Sequence, residues 1–301
     1  MTLTSANPIS IEYETFGKPT APPVLLIMGL GGQLIHWDEA FCQLLAGLGR
    51  YVIRFDNRDV GLSTKLDELP APDTRRSVRA RLEGRSPAAP YTLDDMADDA
   101  VRLLDWLGIA QAHIVGTSMG GMIAQCMTIR HPTHVLSLTS IMADAGKPAV
   151  PKPEAMIAFE PPATERETYV KQVLKILRAL CGPRFAVKAQ RLKKGARQVA
   201  LNAFNRGIHP AGFARQLAAI VASGSRQEAL RSVRVPALVI HGDADPLIPL
   251  AGGVETAQAI PNAKLHIIQD MGHELPSAAW PEIPEAIGVH TQETALRVGC
   301  A

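Results

Sequence analysis

Several features that would place a chain in a specialised class are absent here. The four cysteines, Cys42, Cys126, Cys181 and Cys300, are scattered with no C-x-x-C pair. That spacing argues against a thiolate metal site or a disulfide framework and fits a reducing compartment. Neither H-x-x-x-H nor H-E-x-x-H occurs, so no metal is expected. No apolar run approaches the roughly 18 residues that a membrane-spanning helix needs. The opening MTLTSANPIS has no basic stretch followed by an apolar one, as a secretory leader would, and a cytoplasmic location is the expectation. Aromatic residues make up only 5% of the chain and do not interleave the basic ones, and the formal net charge is +2. A nucleic-acid partner is therefore not expected.

What remains is an ordinary globular composition, 47% apolar and 20% charged over 301 residues, enough to bury a sizeable core. Short aliphatic runs alternate with stretches of helical period. PVLLIMG (23–29), YVIRFD (51–56), AHIVG (112–116), VLSLTSI (135–141), ALVIHG (237–242) and KLHIIQ (264–269) read as buried strands bounded by Gly, Pro or Asp. DEAFCQLLAGLG and TLDDMADDAVRLLDWLGI read as helices, the second with Thr92 and Asp95 as an N-cap pair. Near-continuous apolar strands separated by helices predict an α/β fold, a mostly parallel sheet flanked on both faces. The more amphipathic SIEYETFG (10–17) is expected as an antiparallel edge strand.

The alternation breaks after Met142, and no strand-like run follows until about Pro236. The expected organisation is a core of residues 1–144 and 233–301 carrying a helical insertion over 145–232. That insertion holds 16 Lys and Arg against 5 Asp and Glu, while the remainder holds 15 against 24. A solvated basic helical face is the simpler reading of this excess; attraction of anionic substrates is the sharper one.

One segment suggests nucleophilic chemistry. Gly116-Thr117-Ser118-Met119-Gly120 fits G-x-S-x-G and lies between a buried strand and a helical run. The small residues permit a sharp turn that lifts the Ser118 hydroxyl off the sheet edge at a helix N-terminus. A serine hydroxyl needs a base, and the base an orienting partner. Among nine histidines, His273 in DMGHELP directly follows the last expected strand, where the C-terminal strand ends of a parallel sheet line a crevice. His113, His131, His134, His241 and His266 read as structural; His36, His209 and His290 have no partner evident in the sequence. The Gly-rich IMGLGGQLIHW (27–37) has neither dinucleotide nor P-loop spacing. It can instead supply the Leu30 backbone N–H to an oxyanion, with Met119 supplying the second. No cofactor is called for.

The orienting acid is ambiguous on spacing. Asp243 and Asp245 in HGDADPLIP lie two apart and point the same way in an extended segment. Asp144, at an earlier strand end, is a third candidate, and Asp270 suits a local turn.

GTSMG, GDADPLIP and GHELP, in the order Ser, Asp, His, resemble the α/β-hydrolase fold family. LLIMGLGG and RFDNRDVGLST are most similar to esterases of the aclacinomycin methylesterase kind. The resemblance covers nearly the whole chain, with 145 to about 230 corresponding to the family's variable cap. It implies that the acid is Asp245, bracketed by Gly242 and Pro249 in G-x-x-D-x-x-x-P; Pro246 also biases Asp245 toward an extended backbone. Asp56 and Arg58 are expected to tie loops behind the site. Most relatives have His-Gly where this chain has Met28-Gly29, but the donor there is a backbone N–H.

The implied activity is hydrolysis of a small-molecule carboxylic ester through an acyl-enzyme, with Ser118, His273 and Asp245 as the triad. C–C bond hydrolysis and cofactor-free perhydrolysis by the same residues are alternatives, and a non-catalytic ligand receptor on this scaffold is a more distant one. A nucleophilic carboxylate is disfavoured, because serine occupies the turn.

Overall fold

The computed structural model describes residues 2–4, 9–147, 150–279 and 281–298; Cys300 lies outside them. Eight strands, β1 (Thr2–Thr4), β2 (Ser10–Phe16), β3 (Pro23–Ile27), β4 (Tyr51–Phe55), β5 (Ala112–Thr117), β6 (Val135–Ile141), β7 (Ala237–Gly242) and β8 (Lys264–Ile268), form one sheet in the order β1-β2-β4-β3-β5-β6-β7-β8. The pairs from β4 onward are parallel, whereas β1–β2 and β2–β4 are antiparallel. All six apolar runs predicted as strands are strands. SIEYETFG is antiparallel as predicted but is not the edge, because Thr2–Thr4 pairs outside it. TLT is too short for its alternation to mark a strand.

The helices are α1 (Glu39–Gly47), α2 (Thr74–Leu82), α3 (Leu93–Trp106), α4 (Met119–Arg130), α5 (Arg166–Leu180), α6 (Pro183–Arg206), α7 (Pro210–Ala222), α8 (Gln227–Leu230), α9 (Leu250–Ala259) and α10 (Glu282–Val298). Helix α3 opens on the expected capping box, in which Thr92 Oγ1 and the Asp95 carboxylate each accept the other residue's backbone N–H. Asp38 caps α1 by accepting the Ala40 N–H. Helix α2 is not foreshadowed by periodicity, since four of the nine residues of TRRSVRARL are arginine and it buries only Ser77 and Ala80.

Side chains alternate along each central strand, so consecutive residues enter opposite layers. Val24, Leu26 and Val52 pack with Trp37, Phe41 and Leu45 of the α1 region and with Ile283 and Ile287 of α10. Leu25, Ile27 and Ile53 pack on the other face with Leu93, Met96 and Leu104 of α3 and with Ile123 of α4. Both faces are dry, which is why the strands read as unbroken apolar runs.

Between β6 and β7 the chain is helical, from the 3-10 turn Pro153–Phe159 through α8. Helices α5 and α6 share a small apolar cluster of their own, Tyr169, Val170, Ala200 and Ala203. The basic excess is not simply a solvated face. Arg206 pairs with Asp56, Arg215 with Asp59, and Arg226 approaches Asp144, and all three arginines are buried or nearly so. These cations tie the helical segment to carboxylates at the sheet's edge, which local charge counts cannot reveal.

Candidate active site

The turn after β5 is built as G-x-S-x-G requires. Ser118 sits at φ 54°, ψ −123°, a left-handed backbone that a non-glycine residue adopts only under strain. A Cβ on Gly116 would lie 2.0 Å from the Gly120 carbonyl, and one on Gly120 would lie 2.0 Å from the Ile27 carbonyl. Glycine at both positions is what lets the elbow close on itself and on β3. Gly29 in turn faces Ser118, with an added Cβ meeting the Ser118 Cβ at 3.1 Å.

Ser118, His273 and Asp245 form one hydrogen-bonded chain. Ser118 Oγ lies 2.9 Å from His273 Nε2, and His273 Nδ1 lies 2.7 Å from Asp245 Oδ2. The carboxylate is buried, and its Oδ1 also accepts the N–H groups of Leu247 (2.8 Å) and Ile248 (2.9 Å). Burial raises the Asp245 carboxyl, but the His273 charge and contacts with His241 and His273 outweigh it and hold the group well below the ordinary carboxylate range. An ionised Asp245 can only accept, so a neutral His273 carries its proton on Nδ1 and turns Nε2 toward the Ser118 hydroxyl.

His241, expected from the sequence to be structural, touches this array. Its Nε2–H donates to the Ile248 carbonyl at 2.8 Å and lies 3.5 Å from Asp245 Oδ2. It therefore presents a positive edge to the acid, and only the sequence proximity of His241 to Asp245 hinted at this.

The other acids lie elsewhere. Asp243 is exposed and accepts the Asp270 N–H at 2.6 Å, and Asp270 is itself in the left-handed region at φ 57°, so both are turn residues. The Asp144 carboxylate accepts from Arg81 at 2.5 Å and from the Gly146 N–H at 2.7 Å.

The two expected oxyanion donors flank the serine. Met119 opens α4, where first-turn N–H groups have no intrahelical acceptor, and Leu30 lies in the loop after β3. Among the described residues neither N–H has a hydrogen-bond partner. The loop carrying Leu30 is held from three sides. Gln216 of α7 accepts the Gly31 N–H at 2.8 Å, Asn57 donates to the Met28 carbonyl at 3.0 Å, and Asp56 accepts the Leu34 N–H at 2.6 Å. Asp56 thus braces the loop that carries Leu30. Arg58 instead pairs with Asp99 of α3 at 2.6 Å and stacks on Tyr91. Met28 packs with Trp37 and Phe41.

Ser118 and His273 open into a cavity of about 1050 Å³ between the strand ends and the helical segment. Its wall is mostly apolar, with Met122, Phe159, Tyr169, Val173, Phe213 and Leu217 among the lining residues. Among the described residues no cluster of His, Cys, Asp or Glu could hold a metal ion, and no helix is long and apolar enough to cross a membrane.

Residues 22–276 match the sequence profile of the alpha/beta hydrolase fold. The chain is 28% identical to rhodomycin D methylesterase of Streptomyces peucetius, over 94% of this chain and 95% of the relative. It is 31% identical to 2-hydroxymuconate semialdehyde hydrolase of Pseudomonas sp. (strain CF600), over 66% of each. A crystal structure of a hydrolase from Pseudomonas aeruginosa PA01 superposes with a TM-score of 0.71 at 23% identity, covering 98% of this chain and 97% of that one. With the profile spanning most of its length, the chain belongs to the α/β-hydrolase fold family and is a hydrolase.

Proposed function

We propose that this hydrolase cleaves carboxylic esters through an acyl-enzyme, with Ser118 as nucleophile, His273 as general base and acid, and Asp245 as its orienting partner. The single observation that carries the reading is the continuous array of Ser118 Oγ, His273 and Asp245 at 2.9 and 2.7 Å, opening into a large apolar cavity. The similarity to a methylesterase along nearly the full length of both chains favours an ester over other acyl substrates.

In this reading His273 Nε2 takes the Ser118 proton as Oγ attacks the ester carbonyl, and the imidazolium is stabilised by ionised Asp245. The oxygen that gains charge is held by the backbone N–H groups of Leu30 and Met119. His273 then protonates the departing alkoxide, and water, activated by the same imidazole, releases the acid. Residues 145–232 act as the cap that shapes the cavity, and Arg206, Arg215 and Arg226 anchor that cap to the core. The site takes a small-molecule ester, and the cytoplasm is the proposed compartment.

The test is hydrolysis of p-nitrophenyl esters of graded acyl length by wild type and Ser118→Ala, together with labelling by a fluorophosphonate. Ser118→Ala should lose on the order of 10³-fold or more in kcat, and only the wild type should label. Retained hydrolysis in Ser118→Ala would sink the proposal, and an unlabelled, inactive wild type would point to a ligand receptor. The panel includes a non-ester substrate, because one relative is named for hydrolysis of a semialdehyde.

A further inference from the structure

The residue after the proposed base is Glu274, a carboxyl that none of the steps above uses. It lies where the helical segment meets the His273 loop. The short link between α5 and α6, Leu180 to Gly182, runs directly against residues 270–274. The His273 backbone N–H donates to the Leu180 carbonyl at 2.8 Å. The Glu274 carboxylate accepts the Gly182 N–H at 3.1 Å, with the Gly272 N–H at 3.4 Å. The two segments approach too closely for side chains. A Cβ on Gly182 would lie 2.1 Å from the Asp270 carbonyl and 2.4 Å from the Gly272 nitrogen, and one on Gly272 would lie 2.1 Å from the Leu180 carbonyl. Glu274 therefore spans a backbone-to-backbone seam and joins its two sides through one carboxylate.

Glu274 also lines the same cavity as Ser118 and His273. Among the described residues, the ionisable groups that act on it are His273, Asp245 and the Cys181 thiol across the seam. Burial pushes the Glu274 carboxyl up to about 7, against the pull of the Gly182 and Gly272 N–H groups and of His273, and with the charge of Asp245. Burial and Glu274 together push the Cys181 thiol up to about 11, so it stays neutral at physiological pH.

We infer that Glu274 is a positioning residue: it fastens the α5–α6 link to the His273 loop and sets a second negative charge beside the imidazolium that forms during turnover. This rests on the Ser118–His273–Asp245 reading. When ionised, Glu274 favours the protonated imidazole of the transition state; when protonated, it keeps the seam but loses that attraction. Glu274→Gln keeps a carbonyl oxygen for the Gly182 N–H and removes only the charge.

The experiment is kcat and KM for a p-nitrophenyl ester from about pH 5.5 to about pH 9, in wild type, Glu274→Gln, Glu274→Asp and Ser118→Ala. The ratio of wild type to Glu274→Gln should be close to 1 at about pH 6 and rise to roughly fivefold by about pH 8.5, in kcat and not in KM. Glu274→Asp should stay within about twofold of wild type across the range. A ratio that does not change with pH, or a Glu274→Asp that follows Glu274→Gln, overturns the inference. Activity in Ser118→Ala would overturn the triad reading instead, so the two failures are distinguishable.

Discussion

At the scale of the residue, the decisive pair is Asp243 and Asp245, which lie two apart on the turn after β7 and not on an extended segment, and have opposite surroundings. Asp245 is buried, takes two backbone N–H bonds on one oxygen and faces two imidazoles with the other, whereas Asp243 is exposed and caps the Asp270 turn. Asp245→Asn should cut kcat by on the order of 10⁴-fold, because the amide can donate to Nδ1 and so favours the wrong tautomer. Asp243→Asn should change it by less than about threefold. Steady-state kinetics on the two variants checks the assignment, and the reverse pattern would sink it. In the sequence, the family pattern is what favours Asp245 over Asp243 as the proposed acid. Its physical reason, the two imidazoles and the two amide donors, required the folded loop.

At the scale of the element, the buried pair between Arg215 of α7 and Asp59 fixes the helical segment to the core. Arg215 Nε and Nη2 meet the two Asp59 oxygens at 2.8 and 2.7 Å, and Tyr91 and the Leu66 N–H complete the carboxylate's partners. Burial raises the Asp59 carboxyl, but the Arg215, Leu66 and Tyr91 hydrogen bonds outweigh it and hold the group below its ordinary value. Its folded-state value is thus depressed, so its contribution to stability is complete above the ordinary carboxylate range and is lost as pH falls through the folded value. Arg215→Ala strands a buried carboxylate and should cost about 3–5 kcal/mol, read as a lower urea midpoint at neutral pH. The difference from wild type should shrink in acid, and a gap that does not change with pH would contradict the account. Nothing in the sequence joined residues 59 and 215. A βα alternation can be read locally, but an ion pair across 156 positions cannot.

At the scale of the whole molecule, the cavity volume of about 1050 Å³ and its mostly apolar wall decide which substrates can enter. Val173, on α5, lines that wall far along the chain from Ser118. Val173→Trp should lower kcat/KM for a polycyclic methyl ester by roughly tenfold while leaving a p-nitrophenyl acetate substrate nearly unchanged. Equal losses on both substrates would place the site elsewhere. Helices α5, α6 and α7 reach the core through polar contacts, at Gln33 to the Ala203 carbonyl (2.8 Å), Gln216 to the Arg58 carbonyl (2.7 Å) and the Glu274 seam. The helical segment therefore bears on the loop that carries Leu30 and on the His273 loop at once.

The amino-acid sequence alone determined the sheet, the G-x-S-x-G turn and the loop carrying His273, because those depend on period, on glycine and on position at a strand end. These are local properties, and TLT and TRRSVRARL escaped only because they lack a local mark. The tertiary structure alone decided that Arg206, Arg215 and Arg226 are anchors and not a free basic face. It also decided that His241 lies against Asp245 and that Glu274 joins two segments 92 residues apart. Burial and charge pairing across the fold set those roles, and neither is a property of any stretch of chain read by itself.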